Sequence, residues 1–250
     1  MSCVIDLASR RHAPTFLKSL SHPSGVSLPF DDPSDADLII PEIRSAICDG
    51  AYSADMIRLL PDVVRADDRV LVIGAGLGVV STLVAKTEGV ARVIAVEANT
   101  TLIPYLNRVH DLNGVSEVKT INAVLAEGKK GRVPFFARRD LRTSSLLLHD
   151  RLWQRAMMVP FMDLDLILTE ERISLILCEI PTDSAQLLAC AELGSVEQIL
   201  VSSGDDSSEH WEENEVCSLL AAQGFAAEEC GTALLFDHAN VAGGARTTER

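Results

Sequence analysis

The chain has 250 residues, enough to bury one sizeable core and to form one domain or at most two. Hydrophobic residues make up 47% of it, which argues against a disordered chain, and no apolar run is long enough to span a membrane. The formal net charge of -14 disfavours a nucleic-acid partner, because phosphate binding is driven by clustered lysine and arginine. The opening stretch, Met1 to Arg10, has no charged start followed by an apolar core. No secretory signal is therefore read, and the cytoplasm is the expected location. The six cysteines (Cys3, Cys48, Cys178, Cys190, Cys217 and Cys230) are scattered, with no C-x-x-C pair and no ligand-spaced histidines. That argues against a disulfide framework or a structural zinc site, and no metal is expected.

Residues 1–33, rich in Pro, Ser and His, read as an N-terminal arm over the core. A helical lead-in spans 34–66. Its first helix runs from Asp35 to Cys48 between a Ser34 cap and Gly50. Its second runs from Ala51 to Val64, with Met56, Leu59, Leu60, Val63 and Val64 at helical spacing. Strands over 69–73, 92–97 and 117–121 then alternate with helices near 77–88 and 100–112. The latter helix is expected to be capped by Thr100, with Pro104 in its first turn. Residues 123–162 break this rhythm. Val133 to Ala137 and Met157 to Phe161 look like short strands flanking a polar loop, a hairpin-like insertion. A helix near 163–170, a buried strand Ile173–Ile180, a helix 183–193 and a strand 196–202 follow. A helix 209–223 and strands 225–229 and 232–237 close the pattern, and the tail 239–250 is expected to be disordered. The expected fold is α/β: a doubly wound, Rossmann-like seven-stranded sheet over residues 67–238, with its last strand antiparallel.

The most informative stretch is Arg69-Val-Leu-Val-Ile-Gly74-Ala75-Gly76-Leu-Gly78, followed by a helix-length run and then Val93-Ile-Ala-Val-Glu97-Ala98-Asn99. An uninterrupted apolar strand leads into glycines that let the backbone turn tightly and approach a ligand. The next helix offers free N–H groups to an anionic group. Glu97, nineteen residues past Gly78, is placed to accept hydrogen bonds from ribose hydroxyls. An adenosine-containing cofactor is therefore expected, against the plainer alternative of a glycine turn that binds nothing. A dinucleotide fingerprint asks for a small third residue where this chain has Val79, so NAD is disfavoured.

The spacing Gly74-x-Gly76-x-Gly78 with an acid after the second strand resembles the first motif of class I methyltransferases, which hold S-adenosylmethionine. A longer pattern, over roughly residues 45–236, resembles the FkbM family of these enzymes. Asp49-Gly50-Ala51-Tyr52 is similar to a Gly-x-Tyr-Glu motif of that family, with Ser53 in place of the acid. Glu97-Ala-Asn99, Leu102-Ile-Pro104 and Leu112-Asn113-Gly114-Val115 resemble its second strand and following helix. Asn122-Ala123 and Ser144-Ser145-Leu146 match further positions. The resemblance implies a class I methyltransferase fold and S-adenosyl-L-methionine as cofactor, with S-adenosyl-L-homocysteine as product. It also implies that Gly74, Ala75, Gly76 and Gly78 line the methionine end of the cofactor. Glu97 with Ala98 would hold the ribose, and Asn122 with Ala123 would sit near the adenine. For Asn122 a strand-end turn role is the alternative. Asn99 and Asn113 read as local caps, and Ser144 and Ser145 as polar loop residues that would at most face the acceptor.

The chain departs from the family pattern in three places. Val72 stands where an acid commonly precedes the first glycine by two residues. The later run Glu179-Ile-Pro181-Thr-Asp183-Ser184 keeps the first of three expected acids and replaces the other two by Pro181 and Ser184. Val201-Ser202-Ser203-Gly204 likewise replaces a glutamate–histidine–proline pattern. Glu179, at the carboxyl end of its strand, is the leading candidate base, and His149 in the insertion is the second. Asp183 is better explained as a helix cap. Residues 129–155 carry Lys129, Lys130, Arg132, Arg138, Arg139, Arg142, Arg151 and Arg155 against Asp140 and Asp150. This segment would attract an anionic small-molecule acceptor, or it is simply a solvated hairpin balancing an acidic body. The expected function is O-methylation of a small-molecule or sugar hydroxyl. The alternatives are a cofactor-binding relative that has lost catalysis and serves as a partner or sensor, and, less favoured, an NAD-dependent oxidoreductase.

Overall fold

A computed structural model of the chain describes residues 19–30, 32–139, 141, 144, 155–179, 187–188, 190–202 and 215–238. Its centre is a seven-stranded sheet. The strands are β3 (Arg69–Ile73), β4 (Arg92–Glu97), β5 (Lys119–Asn122), β9 (Leu175–Cys178), β10 (Gln198–Ser202), β11 (Phe225–Cys230) and β12 (Ala233–His238). They lie in the order β5-β4-β3-β9-β10-β12-β11. β5, β4, β3, β9 and β10 are parallel, whereas β12 pairs antiparallel with both β10 and β11. The expected architecture, a Rossmann-like sheet with its last strand reversed, is the one observed.

Alternate residues of the central strands feed two cores, as parallel strands covered on both faces must. Leu71, Ile73, Ile94, Val96, Ile176 and Ile199 pack on one face against Leu164, Ile167 and Leu168 of helix α6 (Leu164–Glu171) and Leu220 of α7 (Glu215–Ala222). Val70, Val72, Val93, Ala95, Leu175 and Leu177 pack on the other, against Met56, Leu60 and Val63 of α3 (Ala54–Val63) and Val80 and Val84 of α4 (Val79–Lys86). Val72 is thus a core residue, fully enclosed.

Several elements differ from the expectation. The single helix expected over Asp35–Cys48 is two, α1 (Asp35–Leu38) and α2 (Pro41–Asp49). The break falls at Pro41, whose missing N–H and fixed φ suit a helix start. The arm contains a hairpin, β1 (Ser19–Ser21) with β2 (Ser27–Pro29). It is held by α5 (Ile103–Leu112) and the residue after it: Tyr105 Oη donates to Pro29 O at 2.9 Å, and the Asn113 amide brackets Ser27 N and O at 3.0 and 2.6 Å. Thr100 does not cap α5, whose N-cap is Leu102. Instead Thr100 Oγ1 donates to Asn122 Oδ1 at 3.0 Å, while Pro104 does lie in the first turn. The insertion is a second sheet in which β8 (Arg155–Asp163) is flanked by antiparallel β7 (Arg132–Ala137) and parallel β6 (Val124–Ala126). Val124, Phe135 and Val159 form its small core, against which Ala98 and Met157 pack. No described helix is long and apolar enough to cross a membrane. Residues 1–18 and the tail 239–250 lie outside the described residues.

Candidate functional site

In a doubly wound sheet the ligand crevice opens at the carboxyl ends of the strands where the chain reverses its direction of travel. Here that point lies between β3 and β9. The turn leaving β3 is stitched to β4: Gly74 N and Ala75 N both donate to Val96 O at 3.0 Å. Gly74, Gly76 and Gly78 have φ of 76°, 53° and 86°, a region that favours glycine. A side chain at Gly76 would meet Tyr52 Oη at 2.8 Å, and one at Gly78 would collide with Leu106 Cδ1 of α5. Gly78 therefore has a packing reason of its own. Ala75 is buried in the core beneath the turn.

Glu97 ends β4 beside this turn. One carboxylate oxygen accepts from Gly76 N at 2.8 Å and the other from Asn99 N at 2.6 Å. Burial pushes its carboxyl up from the ordinary value, opposed by the backbone N–H groups of Asn99, Gly76 and Ala98. A carboxylate has about four acceptor positions, so these three N–H groups leave one for a further donor. The Asn122 amide donates to Glu97 O and Ala98 O at 2.9 and 3.0 Å, clasping the ends of β4 and β5. Its donors are committed to the backbone, in keeping with a strand-end role. Ala98 is half-buried and Ala123 buried, beside that clasp. Asn99 Oδ1 accepts from Thr101 N and Thr101 Oγ1, a local turn.

Glu179 follows β9 on the opposite flank of β3, with its N–H on Ile73 O at 2.9 Å. Its carboxylate accepts from Ser53 Oγ at 3.1 Å. The residue keeps some exposed surface, yet burial of the carboxyl pushes it up to about 7, an effect the Ser53 bond opposes. A carboxyl titrating there exchanges protons near neutral pH, as a general base requires. Two acids thus flank the glycine turn, Glu97 over β4 and Glu179 over β9. Behind the turn, His110 Nε2 and Ser81 Oγ pair at 2.8 Å in the core, and burial lowers His110 to about 4.

His149, the second candidate base, lies outside the described residues, as do Ser145, Pro181, Thr182, Asp183 and Ser184. Ser144 Oγ accepts from Arg138 N at 3.1 Å. Of the basic segment, Lys129 lies over the Phe161 ring at 5.7 Å and Arg132 donates to Met158 O. No group of three or more His, Cys, Asp or Glu side chains suited to a metal ion occurs among the described residues. Tyr52 and Ser53 enter the site from the turn between α2 and α3. The sequence places both inside a helix from Ala51 and gives neither a role; α3 begins instead at Ala54, and Gly50, the αL cap of α2, is the signal for the turn.

No protein-family model matches the chain, and no curated protein matches its sequence. Among solved structures, a protein of the NADB-Rossmann superfamily from Streptococcus agalactiae is similar at 13% identity and TM-score 0.47, over 73% of this chain and 67% of that one. Trm5b from Pyrococcus abyssi is similar at 17% identity and TM-score 0.46, over 88% of this chain and 55% of that one. The ribosomal protein L11 methylase from Lactobacillus delbrueckii subsp. bulgaricus is similar at 15% identity and TM-score 0.43, over 75% and 77%. Likenesses this distant leave the chemistry to the site's own geometry.

Proposed function

We propose that the chain is an S-adenosyl-L-methionine-dependent methyltransferase of FkbM type, acting on a hydroxyl of a small molecule or sugar. The observation that carries this is the pair of acids on either side of a glycine turn at the switch point of the sheet. The residues fit the cofactor: the Glu97 carboxylate, held beside the glycine turn by backbone N–H groups, keeps an acceptor position for a ribose hydroxyl. We place the nucleoside against Glu97, Ala98, Asn122 and Ala123, and the amino-acid end toward Gly74 and Glu179. When bound, the cofactor supplies an electrophilic methyl group on a sulfonium. Glu179 would accept the proton of the acceptor hydroxyl. The products would be a methyl ether, S-adenosylhomocysteine and a protonated Glu179. The acidic balance of the chain favours a small acceptor over a nucleic acid. The test is thermal: S-adenosylhomocysteine at about 100 times its Kd should raise the Tm by roughly 5–10 °C. NAD should not. No shift at saturating S-adenosylhomocysteine overturns the reading.

A further inference from the structure

The turn that joins α2 to α3 carries more structure than a connector needs. Gly50 closes α2 with φ 75°, and the N–H groups of Ala51 and Tyr52 return to Ala46 O. The next residue, Ser53, is the N-cap of α3 and has φ 54° and ψ 28°. A serine is disfavoured in that left-handed region, and an N-cap residue is normally extended. A capping serine also normally turns its hydroxyl onto the backbone N–H two or three residues ahead. Ser53 does not: it makes no side-chain cap bond. Its Oγ reaches instead to the Glu179 carboxylate, 126 residues away in sequence. Ser53 thus combines an unfavourable backbone, no local cap bond and a distant contact, the pattern of strain kept at functional sites.

Tyr52 makes the same turn reach the other flank of the crevice. Its Oη accepts from Leu77 N at 3.3 Å and lies 2.8 Å from the position a Cβ on Gly76 would take. The tyrosine thus lies across the glycine turn, and Gly76 is glycine for the tyrosine as well as for any ligand. The turn is braced from behind by the hairpin tip. Pro23 Cγ would stand 3.1 Å from a Cβ on Gly50. His22 is buried, and its Nδ1 pairs with Ser24 Oγ at 2.7 Å.

We propose that residues 50–53 form a third wall of the crevice, with Ser53 a positioning residue that orients the Glu179 carboxyl and Tyr52 one that sets the glycine turn. What the crevice holds rests on the methyltransferase reading; the Ser53–Glu179 contact does not.

The experiment compares Ser53→Ala, Ser53→Gly, Tyr52→Phe and Glu179→Gln in the full chain. The Glu179 carboxyl is followed by carbon-13 NMR across pH, assigned by its loss in Glu179→Gln. Removing the hydroxyl donor should raise the Glu179 midpoint by about half to one pH unit in both Ser53 variants. Ser53→Gly relaxes the backbone at 53 and so separates loss of the hydroxyl from loss of fold. Affinity for S-adenosylmethionine should fall about threefold to tenfold in Ser53→Gly, and not further when Ser53→Gly is added to Glu179→Gln. Tyr52→Phe should weaken S-adenosylhomocysteine binding by a similar factor while leaving the Glu179 midpoint in place. An unmoved midpoint in folded Ser53→Gly overturns the role of Ser53, and unchanged affinity in Tyr52→Phe overturns that of Tyr52. If the unaltered protein binds neither ligand, the methyltransferase reading fails, and with it the role of Tyr52. The Glu179 titration would still judge Ser53.

Discussion

A carboxyl that titrates at about 7 in the folded chain and near its ordinary 4.5 when unfolded makes stability depend on pH. Between those values folded Glu179 holds a proton that the unfolded chain has released, so stability falls as pH rises through this window. Glu179→Gln removes the charge while keeping an acceptor for Ser53 Oγ. Its Tm should exceed that of the unaltered protein at pH 8, with the gap narrowing toward pH 5, as scanning calorimetry would show. An equal gap at both pH values would show that Glu179 is not perturbed. Of the single residues, Glu97 and Glu179 were legible from their places at strand ends. The Ser53–Glu179 bond was not, because nothing within a few residues of either position encodes a partner 126 residues away.

Among elements, the glycine turn joins two demands on one short segment. Its middle glycine must clear the Tyr52 hydroxyl, and its last glycine must let α5 lie close. Gly78→Ala puts a methyl group into Leu106 and a side chain at φ 86°, and should cost about 2–4 kcal/mol, read from denaturant unfolding. β3 and β4 were read from sequence to the residue because each is an apolar run opening on an arginine and closing at a glycine or an acid. The hairpin β1–β2 and the short strand β6 escaped the same reading. Each is three residues long, too short for a period-2 pattern to stand out, and the hairpin is fixed by partners on and just after α5. The split between α1 and α2 falls at Pro41, a helix-starting residue inside the stretch read as one helix.

On the scale of the molecule, a two-faced sheet, an N-terminal hairpin and a small second sheet are joined by a few polar clasps over apolar contacts. Asn113 is one such clasp: its amide holds Ser27 N and O, the Val109 carbonyl and Lys86 Nζ. Asn113→Ala leaves partly buried backbone groups unpaired and should cost about 1–3 kcal/mol. Because the hairpin tip backs Tyr52, the same variant should also weaken S-adenosylhomocysteine binding, which calorimetry would detect. The ion pair between Arg108 and Asp35, at 2.9 Å, ties α1 to α5 in the same region.

The register of the sheet also has a bearing on how the site comes into being. β3 pairs on one side with β4, so that Val70 meets Val93, and on the other with β9, so that Val70 meets Leu175. The first pairing closes a short loop; the second must wait for the whole second sheet and α6. Pairings between distant segments form slowly and late. On a ribosome the turn that would hold a nucleoside exists well before the strand that delivers Glu179 has been made. The segment that would grip is therefore made before the one that would react, and the pairing of β9 with β3 is the step that would arm the protein.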